Sequence, residues 1–218
     1  MRELIRALRA AGHEVLECAL VQKTVVPNRP VGPEAPRGSA GFWQRLSLPR
    51  PAVELLEILY NRRGRAMLRA AAPQFRPHFV YERHALHCRA GLDVARQLGV
   101  PLLLEVNSPM VAEMQQLGKL CFPALASRTE RTVLGGADAV LAVTRVLGDL
   151  LVAEGARADH VHVIGNGADP ERYGAGPREQ AKAIRAQWSL HRDAFALGFV
   201  GYMRPWHRLD LVLDVMAR

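Results

Sequence analysis

Three groups of side chains in this 218-residue sequence have types and spacings suited to chemistry. The first is the loop Gly201-Tyr202-Met203-Arg204-Pro205-Trp206-His207-Arg208, read between a strand and a helix. A glycine there lets the backbone approach a ligand, a helix N-terminus favours phosphate, and Arg204 can grip two phosphate oxygens at once. A basic turn between sheet and helix is the plain alternative. The second group follows expected strand ends: Glu82 and Arg83, Asn107, Thr144, and the pair Asn166-Gly167. Asn107 can hydrogen-bond a hydroxyl but cannot exchange protons as a general acid or base. Glu82 and Arg83 either meet a ligand or close a strand-end salt bridge. Thr144 suits a helix N-cap, and the helix start it caps also suits an anion. Gly167 can take φ > 0 in a strand-ending turn, for which Asn166 is also suited.

The third group is a basic, aromatic-studded stretch. Trp43, Arg45, Arg50, Arg62, Arg63 and Arg65 lie in the first third, where residues 1–76 hold twelve Arg, one Lys, six Glu and no Asp. That third is therefore +7 of the formal +8, and the remaining 142 residues are nearly neutral. Arginines with interleaved aromatics suit an anionic surface such as a lipid headgroup layer or a phosphate-bearing ligand. A plain solvated face remains the alternative, because Arg outnumbers Lys 26 to 3 along the whole chain. No helix-turn-helix, zinc-finger or aromatic RNA-binding pattern supports nucleic acid.

The elements that must hold these groups alternate between helix and strand. Glu3–Ala11 reads as a helix stopped by Gly12, then 14–26 as a strand, and the Pro- and Gly-rich 27–41 as a loop. Residues 51–72 read as a helix broken or bent at Asn61–Gly64. Then come a strand at 78–82, a helix at 86–98, a strand at 101–106, helices at 110–120 and 124–134, and a strand at 139–143. A helix at 146–154, a strand at 160–164, a helix at 177–189, a strand at 196–200 and a helix from Leu209 complete the series. This pattern predicts an α/β fold, an open parallel sheet with helices on both faces, in which ligands bind beyond the carboxyl ends of the strands. The apolar runs LLLEV, AVLAV and FALGFV suit strands covered on both sides.

Three stretches in order carry a family resemblance: RALRAAGHEV, then GGADAVLAVTRVLGDLLVAEG with HVHVIGNGADPERY, then FVGYMRPWHRLDLVLDVMA. Together they resemble retaining glycosyltransferases of family 4, whose GT-B fold pairs two Rossmann-like domains. The resemblance implies an acceptor domain over 1–176 lacking its first strand, a linker over 177–194, and the start of a nucleotide-sugar-binding domain over 195–218. It implies a nucleotide-sugar donor, a saccharide or lipid-linked acceptor, no resident cofactor and no catalytic metal. Gly201, Arg204 and His207 would meet the donor phosphates. Glu82, Arg83, Asn107, Thr144, Asn166 and Gly167 would face acceptor or sugar. The two ends look cut, so the chain is expected to be a fragment without turnover of its own. The alternative is a non-catalytic α/β module that binds an anionic or membrane surface.

Other chemistry finds little support. Two Glu-x7-Glu matches, Glu105/Glu113 and Glu171/Glu179, read as chance spacing. There is no Walker A loop, no G-x-S-x-G elbow, no HExxH and no dinucleotide-binding glycine fingerprint. The alternating His160 and His162 read as structural. Three scattered cysteines suit a reducing compartment, and neither a signal peptide nor a membrane-spanning run is recognisable. A cytoplasmic protein, held peripherally at the inner membrane face by its basic third, is the expectation.

Overall fold

The computed structural model describes residues 2–18, 49–168, 178–191, 193–201 and 207–217. The chain divides into two compact units, Met1–Gly167 and Ala168–Arg218. The first holds α1 (Arg2–Ala10), α2 (Arg50–Phe75), β1 (Val80–Arg83), α3 (Ala90–Leu98), β2 (Leu102–Val106), α4 (Met110–Gln116), α5 (Pro123–Gly136), β3 (Ala139–Ala142), α6 (Arg145–Ala153) and β4 (Val161–Val163). The second holds α7 (Arg178–Gln187) and α8 (Leu209–Met216).

The four strands form one parallel sheet in the order β1-β2-β3-β4. Parallel neighbours need crossover connections, and α3, α5 and α6 supply them. Right-handed crossovers in a monotonic order put these helices on one face. The core agrees: Leu102, Leu104 and Val106 of β2 and Val140 and Ala142 of β3 pack with Leu92 and Ala95 of α3, Val133 and Leu134 of α5, and Leu147 and Leu151 of α6. Side chains alternate along a strand, so Tyr81, Arg83, Leu103 and Glu105 point to the other face. There Leu4, Ile5 and Leu8 of α1 border the same cavity as Tyr81 and Arg83. The parallel α/β architecture expected from the sequence is thus the one observed.

Several boundaries move, for identifiable reasons. α2 runs unbroken through Asn61–Gly64. The Asn61 Nδ2 donates to the His87 carbonyl at 2.5 Å and to the Ile58 carbonyl of its own helix at 3.2 Å, and its Oδ1 accepts the Arg89 N–H at 2.8 Å. Gly64 is buried in the same tightly packed helix. The helix expected from residue 86 starts only at Ala90, because 84–89 form a turn with His87 at φ +58°. Residues 14–18 are not a strand, and 19–26 lie outside the described residues. Nor do residues 196–200 form a strand: Phe195 and Val200 are exposed, the latter fully. An apolar run becomes a strand only when a neighbour accepts its hydrogen bonds, and no described residue of that unit pairs with it.

Candidate functional site

β1 and β2 deliver Glu82, Arg83 and Asn107 to the carboxyl end of the sheet, but to different faces. Arg83 and Asn107 converge on Glu105. The Asn107 Nδ2 donates to Glu105 Oε1 at 2.7 Å, the Tyr81 hydroxyl donates to Oε2 at 2.8 Å, and the Arg83 Nε lies 3.4 Å from Oε1. The Glu105 side chain is 18% exposed and that of Arg83 53%. Burial alone would raise the Glu105 carboxyl. The hydrogen bonds from Asn107 and Tyr81, with the Arg83 charge, outweigh it and hold the group below the ordinary glutamate range. Burial first, and then the hydrogen bond to Glu105 and its charge, push the Tyr81 phenol up. The strand-end salt bridge considered for Arg83 therefore exists, with Glu105 as partner and not Glu82.

Glu82 points the opposite way, onto the helix-covered face. Its Oε1 accepts from the Cys88 thiol at 2.9 Å, and it borders an apolar cavity of about 250 Å³ together with Met67, Phe75 and Val94. A Cβ on Gly91, at the start of α3, would stand 2.0 Å from Glu82 Oε2, so glycine is what admits the carboxyl. Burial raises the Glu82 carboxyl above its ordinary value. Burial and the neighbouring Glu82 push the Cys88 thiol up to about 12. An inert thiol and a carboxyl raised by burial at the foot of α3 differ in character from the Arg83–Glu105–Asn107 group.

The turn after β1 is anchored by two buried imidazole–carboxylate pairs. His84 Nε2 lies 3.2 Å from Glu130 Oε1 of α5, and His87 Nε2 lies 2.8 Å from Glu54 Oε1 of α2. Glu54 also accepts the Cys121 N–H at 2.6 Å and the Phe122 N–H at 3.0 Å, which satisfies donors at the start of α5. These anchors hold the chain that leads out of Arg83.

The remaining expected residues stand apart. Thr144 follows β3 and caps α6 through its hydroxyl, which accepts the Leu147 N–H at 3.1 Å. Asn166 and Gly167 are exposed beyond β4. Gly167 is not among the glycines at positive φ, and open space surrounds it, so its turn does not demand glycine. In the second unit Gly201 takes φ +154°, and the His207 ring tilts against Phe199 at 5.3 Å between centroids. Arg204 lies outside the described residues, as do Trp43 and Arg45.

The basic group also sorts itself. Arg65 turns inward to Asp93 of α3 at 2.9 Å, and Arg50 donates to the Lys119 carbonyl at 2.8 Å. Those two tie the unit together. Arg62 and Arg63 stay exposed on α2, next to exposed Leu55, Leu56, Leu59 and Tyr60. Among the described residues no group of three His, Cys, Asp or Glu side chains converges on a metal position, and no helix is long and apolar enough to cross a membrane.

Sequence reasoning missed Glu105, Tyr81 and the two imidazole pairs. A signal existed for Glu105, the one charged residue in the apolar run LLLEV. Strand alternation also puts it on the same face as Tyr81 and Arg83.

Comparison with known proteins follows the first unit closely. The family description "Glycosyl transferase 4-like domain" matches residues 1–167. A D-inositol 3-phosphate glycosyltransferase 1 from Catenulispora acidiphila is 33% identical over 144 residues, covering 64% of this chain and 33% of its own length. A D-inositol 3-phosphate glycosyltransferase from Gordonia bronchialis is 28% identical over 156 residues, covering 69% of this chain and 33% of its own. The chain thus spans about a third of the length of these relatives. The crystal structure of Anabaena HepE in complex with UDP is 22% identical, with a TM-score of 0.46, and covers 59% of this chain and 33% of that one.

Proposed function

The chain belongs to the glycosyl transferase 4-like domain family, and we propose that its first unit is the acceptor-side part of a retaining glycosyltransferase that draws on a nucleotide-sugar donor. The observation that carries this reading is the Arg83–Glu105–Asn107 group at the carboxyl end of a parallel sheet, where ligands of such sheets bind. An exposed guanidinium beside an amide suits a hydroxyl-bearing acceptor that also carries phosphate. A phosphorylated polyol, the compound class in the names of the two relatives, has this chemistry, and so does a saccharide linked to a lipid diphosphate. Gly201, Arg204 and His207 would meet the donor diphosphate, whose departure needs positive or N–H groups rather than a base. Thr144, Asn166 and Gly167 follow the ends of β3 and β4, apart from that group, and would face a larger acceptor.

A titration of the 218-residue chain, followed by NMR, tests the acceptor reading. D-inositol 3-phosphate and a polyprenyl-diphosphate-linked saccharide serve as the two probes. Shifts centred on Arg83 and Asn107 with either probe support it, and the probe that acts names the source. No shift with both would overturn it.

A second reading has its own observation. Exposed Leu55, Leu56, Leu59 and Tyr60 next to Arg62 and Arg63 on α2 suit an anionic lipid surface, with apolar side chains entering the layer and guanidinium groups on the phosphates. This would hold the protein peripherally at a membrane, whether or not it turns over a substrate.

A further inference from the structure

We propose that Glu105 is the positioning residue of the carboxyl-end site: from beneath, it aims the Asn107 amide and the Arg83 guanidinium at the ligand. The proposal rests on the acceptor-side reading and deepens it.

The geometry supports a supporting role and not a contact. Glu105 is largely covered, whereas Arg83 stands over half exposed, so a ligand arriving at the sheet end meets the guanidinium first. Two donors and one cation share the two carboxylate oxygens: Asn107 Nδ2 donates to Oε1, the Tyr81 hydroxyl donates to Oε2, and the Arg83 Nε is ion-paired with Oε1. Each partner fixes something specific. Because the Asn107 nitrogen faces Glu105, its Oδ1 is the atom left for the ligand, which makes Asn107 an acceptor for a hydroxyl. Because Arg83 faces Glu105 through Nε, its two Nη groups remain the outward edge of the fork, the edge that meets an oxyanion. Tyr81, in turn, clamps the far oxygen and stops the carboxylate rotating. Such a shell beneath a site is what holds contact groups in productive orientation. An apolar side chain at 105 would suit the run LLLEV equally well for packing but would leave both the tyrosine hydroxyl and the asparagine amide unpaired.

Glu105→Gln separates positioning from packing. It keeps the size, removes the charge facing Arg83, and presents an NH₂ that competes with that of Asn107. In the titration with D-inositol 3-phosphate and the polyprenyl-diphosphate-linked saccharide, it should bind about tenfold more weakly than the unaltered chain. Its melting temperature should stay within about 4 °C of that chain's, the shift expected for about 1 kcal/mol or less. The side-chain signals of Asn107 and of the Arg83 Nε–H should move before any ligand is added. Tyr81→Phe leaves the charge in place and removes one donor. It should weaken binding by about threefold, and it decides the matter if Glu105→Gln does not fold. Binding unchanged in both variants, with the Asn107 and Arg83 signals in place, overturns the proposal and leaves the acceptor reading standing. An unaltered chain that binds neither probe overturns the acceptor reading, and the proposal falls with it.

Discussion

Glu54 and His87 meet 33 residues apart in the chain, carboxylate to imidazole at 2.8 Å, with the two side chains 0% and 1% exposed. The same carboxylate takes the Cys121 and Phe122 N–H groups. One residue therefore joins α2, the turn after β1 and the start of α5. A buried carboxylate without partners is costly, and one with three donors becomes a structural hub.

Removing that hub should be the most damaging single change in the first unit. Glu54→Ala leaves a buried imidazole and two N–H groups unpaired and should cost about 3–5 kcal/mol. Urea unfolding followed by circular dichroism measures it. The acid limb carries a second signature. Burial alone would raise the Glu54 carboxyl, but the Cys121 N–H, His87 and the Phe122 N–H bring it below its ordinary value. A lowered folded value stabilises the protein above the unfolded value and is lost as pH falls through the folded one. Stability should therefore drop below about pH 4.3, the unperturbed glutamate value, and Glu54→Gln should flatten that drop.

Glu82 should behave in the opposite sense. Its carboxyl is raised by burial, so the folded state holds the proton more tightly than the unfolded state. Its contribution is most favourable below the unfolded value and is lost as pH rises through the folded one. Glu82→Gln, uncharged at every pH, should match the unaltered chain near pH 4 and exceed it in melting temperature at pH 7, a window set by the glutamate reference value of about 4.3. A variant less stable than the parent at pH 7 would contradict the assignment.

Thr144 offers a test of local against ligand roles. Its hydroxyl caps α6. Thr144→Ala should lose about 1 kcal/mol of stability and Thr144→Ser almost none. Thermal melts of the two variants check this. Should D-inositol 3-phosphate affinity fall in Thr144→Ala as well, the hydroxyl serves the acceptor in addition to the helix.

The outer face of α2 predicts salt-sensitive lipid attachment. Vesicles containing anionic lipid should sediment with the 218-residue chain at low ionic strength. Raising salt to about 1 M, where screening falls to a few ångströms, should release it. Arg62→Gln with Arg63→Gln should weaken attachment strongly, whereas Arg65→Gln should act on stability through Asp93 and leave attachment in place. Sedimentation indifferent to salt and to both arginines would remove the second reading.

The sequence by itself determined the alternation of elements. LLLEV and AVLAV are apolar runs with one face buried and the other partly covered, and their order implies a parallel sheet with crossover helices. Gly99 ends α3 in the left-handed conformation, and Thr144 opens α6, as residue type alone suggests. These are local consequences of sterics and hydrogen-bonding capacity. The tertiary structure decided the partners. Glu82 and Arg83 are chain neighbours on opposite faces, so of the strand-end salt bridges open to Arg83 it is the one with Glu105 that forms. Arg65 looks in sequence like Arg62 and Arg63, yet α3 brings Asp93 within 2.9 Å of it and turns it inward. Glu54, to all appearances one more surface charge on a helix, became the most deeply buried carboxylate among the described residues. Which charge finds which counter-charge depends on distances between elements tens of residues apart, and local pattern carries no information on them.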